Sequence, residues 1–316
     1  MTITHRSITT NGITMHVAEA GEGPLVLLLH GFPELWYSYR HQLEALAAAG
    51  FHAVAPDQRG YGTTDSPDEV GQFTMLHLVG DVVGLLAALG EEHCVVVGHD
   101  WGSPVAANLA VLRPDLVRGV VLLSVPYLPR GDTDVLTALT GLLGPTNYQV
   151  YFQEPGVAEA ALEANVHDSM LGSLFGLSGN AAELADSGTS MLPLPVPDGP
   201  LPGWLTEGDV AYFTTEFERT GFRGALNWYR TSKENWELMG AWRNAPLLPP
   251  SLFIGGDRDI VYHWPGFSDL VPILRDISMP NLTKSVVLEG CGHWTQQERP
   301  IEVNELLTEF LAHLPR

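Results

Sequence analysis

Cys94-Val95-Val96-Val97-Gly98-His99-Asp100-Trp101-Gly102 decides the fold of this chain. A short apolar run predicts a buried strand, the first Gly-x-Asp-x-Gly residues a sharp turn, and the residues after Trp101 the start of a helix. That is the geometry of a nucleophile elbow, whose usual signature is G-x-S-x-G. Here the middle residue is Asp100. The exchange changes the chemistry, because a carboxylate displaces a leaving group at saturated carbon and forms an alkyl ester. Epoxides and alkyl halides are the natural electrophiles for that step. The elbow strains the backbone and crowds its neighbours, so Gly98 and Gly102 answer a mechanical need. An ordinary turn before a helix would carry the same glycines, so the chemical reading depends on partners elsewhere in the chain.

On both sides of the elbow, buried strands alternate with helices. Leu25–Leu29 and His52–Pro56 read as strands, 39–49 and Met75–Leu89 as helices, and 117–125 as another buried strand. Asn11-Gly12 is a hairpin turn signal between two strand-like runs in 8–18. Strands are expected again at 251–255 and 285–288, with a last helix over about 301–311. This alternation predicts an α/β fold, a mostly parallel sheet with helices on both faces. It breaks after Tyr127. Residues 128–245 are rich in helix formers and hold four of the eight tryptophans, with a Pro-rich loop at Pro193, Pro195, Pro197, Pro200 and Pro202. They predict a helical lid inserted into a core domain made of 1–127 and 246–316.

The chain has 316 residues, 45% hydrophobic, and a formal net charge of −21. That charge argues against nucleic acid and anionic membrane surfaces as partners. No apolar run is long enough for a transmembrane helix, and the first six residues lack a signal-peptide apolar region, so a cytoplasmic location is expected. Cys94 and Cys291 are the only cysteines and read as reduced packing residues. No metal-ligand spacing appears, so neither metal nor organic cofactor is expected. The oligomeric state is not legible.

Two further polar groups follow apolar runs, in the order nucleophile, acid, base. Leu252-Phe253-Ile254 leads to Asp257 and Asp259, and Val286-Val287-Leu288 leads to His293. Open α/β sheets build their sites at such strand ends. His293 needs a carboxylate to fix its tautomer, and either aspartate could serve. His30-Gly31-Phe32-Pro33 follows a third run, where the backbone of Phe32 is expected to supply one oxyanion-hole N–H and that of Trp101 the other. His30 itself reads as a structural histidine of that loop.

These motifs carry a resemblance. His30-Gly31-Phe32-Pro33, Asp57-Gln58-Arg59-Gly60-Tyr61-Gly62, Gly98-His99-Asp100-Trp101-Gly102 and Gly290-Cys291-Gly292-His293-Trp294-Thr295-Gln296 resemble those of the epoxide hydrolases of the α/β-hydrolase superfamily, over nearly the whole chain. The lid stretches 147–156 and 227–230 are similar to the lid of the soluble enzymes. The resemblance implies that Tyr148 and Tyr229 are ring-opening donors and that Asp259, followed by Ile260-Val261, is the triad acid. No extra N-terminal phosphatase-like domain, as in the mammalian soluble enzymes, is expected. Phe32, Trp101 and Trp294 are expected to line the substrate pocket, and Tyr151 and Tyr212 to be packing residues. The small-molecule partners implied are an epoxide and water. Two rivals stand beside this reading: a haloalkane or haloacid dehalogenase, which shares the carboxylate nucleophile, and a non-catalytic ligand-binding protein on the same fold.

Overall fold

The computed structural model of the chain describes residues 2–181, 194 and 196–314. Eight strands form one sheet: β1 (Thr4–Thr10), β2 (Ile13–Ala20), β3 (Leu25–Leu29), β4 (His52–Pro56), β5 (Cys94–His99), β6 (Val117–Leu123), β7 (Ser251–Gly256) and β8 (Leu282–Leu288). Their spatial order is β1-β2-β4-β3-β5-β6-β7-β8. The pairs β1–β2 and β2–β4 are antiparallel and the others are parallel. Asn11 and Gly12, both at positive φ, make the β1–β2 turn.

Strand periodicity explains why the central strands are apolar without a break. In β3, Leu25, Leu27 and Leu29 enter one buried cluster, while Val26 and Leu28 enter the other. β5 divides likewise, with Cys94 and Val96 on one face and Val95 and Val97 on the opposite one. Helices α2 (Met75–Leu89) and α3 (Gly102–Leu112) supply Leu78, Val82, Leu85, Val105 and Leu109 to the first face. Helix α1 (Arg40–Ala48) and the C-terminal helix (Pro300–His313) supply Leu43, Leu46, Val303 and Leu307 to the second. Each such buried aliphatic side chain contributes about 1.5–3 kcal/mol, so both layers are tightly fixed to the sheet. Helix α2 stops at Gly90, whose φ of 77° is the left-handed C-terminal conformation glycine allows.

Between β6 and β7, among the described residues, come seven α-helices: α4 (Val135–Leu143), α5 (Tyr148–Tyr151), α6 (Val157–Glu163), α7 (Val166–Gly176), α8 (Glu207–Thr220), α9 (Arg223–Arg230) and α10 (Ser232–Leu238). Among the described residues of 128–245 there is no strand. The insertion is tied to the core by Trp228, fully buried, whose Nε1–H donates to Arg59 O over 3.0 Å. Pro193 and Pro195 lie outside the described residues; Pro197, Pro200 and Pro202 lie outside helices and strands. No helix among the described residues is long and apolar enough to cross a membrane.

Strand β8 begins three residues before the apolar run that marks it. It is an edge strand, and its early residues Thr283 and Lys284 are exposed, so they carry no hydrophobic signal. In the other direction, β6 ends at Leu123 because Ser124 turns away with φ 66°.

Candidate active site

The order in which strands are added reverses at β3, which has β4 on one side and β5 on the other. Leu29 therefore pairs with Gly98, and the carboxyl ends of β3 and β5 lie together at a topological switch point. Asp100 leaves β5 with φ 48°, a conformation costly for a residue with a Cβ. The surrounding chain leaves no room for larger neighbours. A Cβ on Gly98 would lie 2.1 Å from Gly102 O, and one on Gly102 would lie 1.9 Å from Leu29 O.

From the end of β3, Phe32 N–H donates to Asp100 Oδ1 over 2.7 Å. Trp101 is the N-cap of α3, so its backbone stands at the positive end of that helix, beside the same carboxylate. His30 Nδ1 bonds Gly31 O, and its Nε2 accepts from Gln58 N–H, so the ring is committed within its loop.

The β7 and β8 ends bring the other two groups. His293 Nδ1 is 2.9 Å from Asp259 Oδ1, which also accepts Val261 N–H at 2.9 Å. His293 Nε2 faces Asp100 Oδ2 across 3.5 Å, longer than a normal hydrogen bond. Asp257 is turned elsewhere: its Oδ1 accepts Gly290 N–H at 2.7 Å and stabilises the β8 turn. Of the two aspartates, Asp259 is the one at the imidazole.

These contacts set the charges. Burial pushes Asp100 upward, but contact with His293, the charges of His293 and His99, and the Phe32 N–H outweigh it and hold the carboxyl below its ordinary range. Burial opposes charge on His293, yet the Asp259 charge and the contact with Asp100 raise it well above the usual imidazole value. In Tyr148 and Tyr229, burial first and the Asp100 charge second push the phenols upward, so both remain O–H donors at neutral pH. Their rings are 6.0 Å apart, and Tyr229 also packs on Trp101 at 5.1 Å and on Phe32 at 5.3 Å. Asn147 caps α5 and fixes its first residue, Tyr148, whose hydroxyl accepts from Gln149 Nε2 over 3.2 Å. Tyr212 is engaged away from Asp100, accepting from Trp36 Nε1 and stacking on Tyr37. Tyr151 packs on Phe152.

A cavity of about 490 Å³ opens on Asp100, Trp101 and Tyr148 and runs between apolar walls that include Leu139, Met239 and Trp264. Its size suits a small-molecule ligand. Of the three expected pocket residues, Trp101 lines it and Phe32 and Trp294 do not. The Phe32 ring packs into an aromatic cluster with Phe152, Phe222 and Tyr229. Trp294 is completely buried behind His293, with ring centroids 4.8 Å apart, and donates through Nε1 to Ser173 O. Among the described residues no cluster of three or more His, Cys, Asp or Glu side chains is arranged to hold a metal ion. Cys94 and Cys291 are buried free thiols, and burial raises Cys94 to about 12.

Several supporting residues gave no sign in the sequence. His99 bonds Glu34 Oε2 and His293 O, each at 2.7 Å, and Ser124 Oγ donates to the same carbonyl at 2.7 Å. Burial alone would raise Glu34, but the charge and hydrogen bond of His99, with the Gly31 N–H, bring it down. Glu34 thus links the Phe32 loop, the elbow and the His293 loop. These groups meet partners from distant parts of the chain, so no local spacing announces their roles.

The match to known proteins agrees with this geometry. The family model described as the alpha/beta hydrolase fold matches residues 24–300. Epoxide hydrolase 2 of Siraitia grosvenorii is 43% identical over 98% of both chains, and Epoxide hydrolase A of Mycobacterium tuberculosis is 42% identical over 98% of both. A solved epoxide hydrolase from an endophytic Streptomyces superposes with a TM-score of 0.92 at 47% identity, covering 98% of this chain and 95% of that one. The fold and site define an α/β hydrolase with a carboxylate at the elbow. Within that class, the chain belongs to the epoxide hydrolase family.

Proposed function

We propose that this chain hydrolyses epoxides to vicinal diols through an ester on Asp100. Oδ1 of Asp100, held by Phe32 N–H, becomes the ester carbonyl oxygen. Oδ2 attacks an epoxide carbon, a C–O bond forms, and the ring C–O bond breaks. Tyr148 and Tyr229 donate to the ring oxygen as alkoxide charge develops, and one phenol passes its proton to that oxygen. Once the ester has formed, Asp100 no longer bears the charge that helps hold His293 protonated, so the imidazolium gives up its proton, which restores the phenol through solvent. His293, still oriented by Asp259, then takes a proton from a water as it attacks the ester carbonyl. The N–H groups of Phe32 and Trp101 stabilise the tetrahedral oxyanion. Collapse expels the diol, whose freed oxygen takes the proton from His293; the acid left on Asp100 then returns its own proton to His293, restoring a carboxylate that carries the water's oxygen. Residues 128–245 act as the lid over a core of 1–127 and 246–316, and present both tyrosines to the nucleophile. The apolar cavity walls favour an apolar epoxide.

The observation that carries the reading is the pair of neutral phenols beside Asp100. An alkoxide that stays attached to the product needs O–H donors, whereas a departing halide is held by Trp, Asn or Arg N–H groups. The test is a panel of apolar epoxides and matched alkyl halides, scored for diol and for free halide. Diol without halide is expected. Halide release without diol returns the protein to the dehalogenases, and neither product from a protein that binds the panel leaves a ligand-binding role.

A further inference from the structure

Both triad loops are attached to the helical insertion, and one carboxylate outside the triad joins the His293 loop backbone to it. The N–H of His293 donates to Leu177 O over 2.9 Å. The two flanking N–H groups converge on Glu298: Gly292 N–H on Oε2 at 3.0 Å and Trp294 N–H on Oε1 at 3.1 Å. Oε2 also accepts Gly179 N–H, 2.9 Å away on the insertion just after α7. Arg258, the neighbour of Asp259, donates through Nη2 to Ala181 O at 2.7 Å. The two backbones are in direct contact. A Cβ on Gly292 would lie 2.3 Å from Gly179 N, and one on Gly179 would lie 2.2 Å from Gly290 O.

Glu298 is 5% exposed and forms no ion pair among the described residues. Burying a carboxylate without a cation is costly. Three N–H donors reaching both of its oxygens offset part of that cost, though burial still holds the carboxyl above its ordinary range, and this sets a chemical requirement. Only an acceptor-only head serves all three. An amide of the same size would turn an NH₂ donor toward an N–H.

We propose that Glu298 is a positioning residue for ester hydrolysis, holding the His293 backbone and the Leu177–Gly179 leg of the lid in one register. It touches neither substrate nor reacting atoms and acts through His293. This rests on the two-step reading above, in which alkylation uses Asp100 and the tyrosines and only hydrolysis uses His293 as base. Loss of the clamp therefore falls on the second step. A displacement of about 1 Å in a catalytic group can cost on the order of 10²-fold, so a slowing of roughly ten- to a hundredfold is expected.

The test is single-turnover kinetics on styrene oxide with wild-type protein, Glu298→Gln and Glu298→Asp. Alkylation is followed by tryptophan fluorescence and ester by intact-protein mass spectrometry. Glu298→Gln should alkylate near the wild-type rate, accumulate ester, and show kcat and KM falling together. Glu298→Asp, shorter but acceptor-only, should hydrolyse faster than the isosteric Gln variant. A role in packing alone predicts the opposite order, and that order overturns the proposal, as does equal slowing of both steps. If Glu298→Gln does not fold, Glu298→Asp still decides: slowed hydrolysis with alkylation kept supports the clamp, and any other pattern overturns it. Absence of ester in every protein, wild type included, overturns the two-step reading and the clamp with it.

Discussion

Replacing Asp259 with Asn removes a charge from beneath His293 and leaves the shape in place. Asp259 Oδ1 accepts both His293 Nδ1–H and Val261 N–H, and Oδ2 has no partner among the described residues. The Asn oxygen can keep both bonds, and the Val261 N–H disfavours an amide flip. What is lost is the attraction between carboxylate and imidazolium as the base takes its proton. At about 4 Å and an effective dielectric of about 20, that attraction is ~4 kcal/mol. At ~1.36 kcal/mol per tenfold in rate, kcat should fall about 10³-fold. The loss should sit in ester hydrolysis, read as decay of the alkyl-enzyme after a single turnover. The pH dependence has a defined sign. His293 acts when neutral, so hydrolysis rises as pH passes its pKa, and the Asp259 charge is the largest influence holding that pKa up. Asp259→Asn should therefore move the rising limb to lower pH while lowering its plateau. Asp257→Asn, which disturbs only the Gly290 turn, should cost far less. A crippled Asp257 variant beside an Asp259 variant within about tenfold of wild type would refute the reasoning.

Tyr148→Phe and Tyr229→Phe should each slow alkylation by roughly 10²–10³-fold, the usual cost of one oxyanion donor, and the double variant should nearly stop it while leaving ester hydrolysis unchanged. Stopped-flow tryptophan fluorescence checks this, and a double variant that alkylates at the wild-type rate contradicts it. The alkylation rate should also be flat between about pH 5 and about pH 10, because Asp100 is held ionised and both tyrosines are held neutral by their surroundings. An inflection near neutral pH in that step would show a group other than these in control.

The chemistry-bearing positions were legible where local sequence dictates local shape. The apolar run before Gly98-His99-Asp100-Trp101-Gly102 could only be a buried strand entering a tight turn, and Asp100 indeed stands at φ 48° between two glycines with no space for a Cβ. Met75–Leu89 and the Asn11-Gly12 hairpin were readable for the same reason. Choosing between Asp257 and Asp259 was harder, since both follow one strand and only the path of the turn decides which reaches the imidazole. Trp294 was expected in the pocket because it adjoins His293, but consecutive side chains in that loop diverge, and its indole packs behind the ring. Glu34, Ser124 and Glu298 stood in no motif, and His99, though part of the elbow motif, carried no assigned role. Each is defined by a partner brought to it from a distant part of the chain: the His99 ring for Glu34, the His293 carbonyl for His99 and Ser124, and the Gly179 N–H for Glu298.

A covalent ester on Asp100, cleared by His293, is tested most directly by His293→Gln. Alkylation needs the carboxylate and the phenols, and hydrolysis needs the base, so the variant should stall after the first step. Intact-protein mass spectrometry after incubation with a turned-over epoxide should show a mass increase equal to one epoxide, located by digestion on the peptide containing Asp100. An unmodified His293→Gln protein that demonstrably binds the epoxide, or an adduct on any other residue, would contradict it.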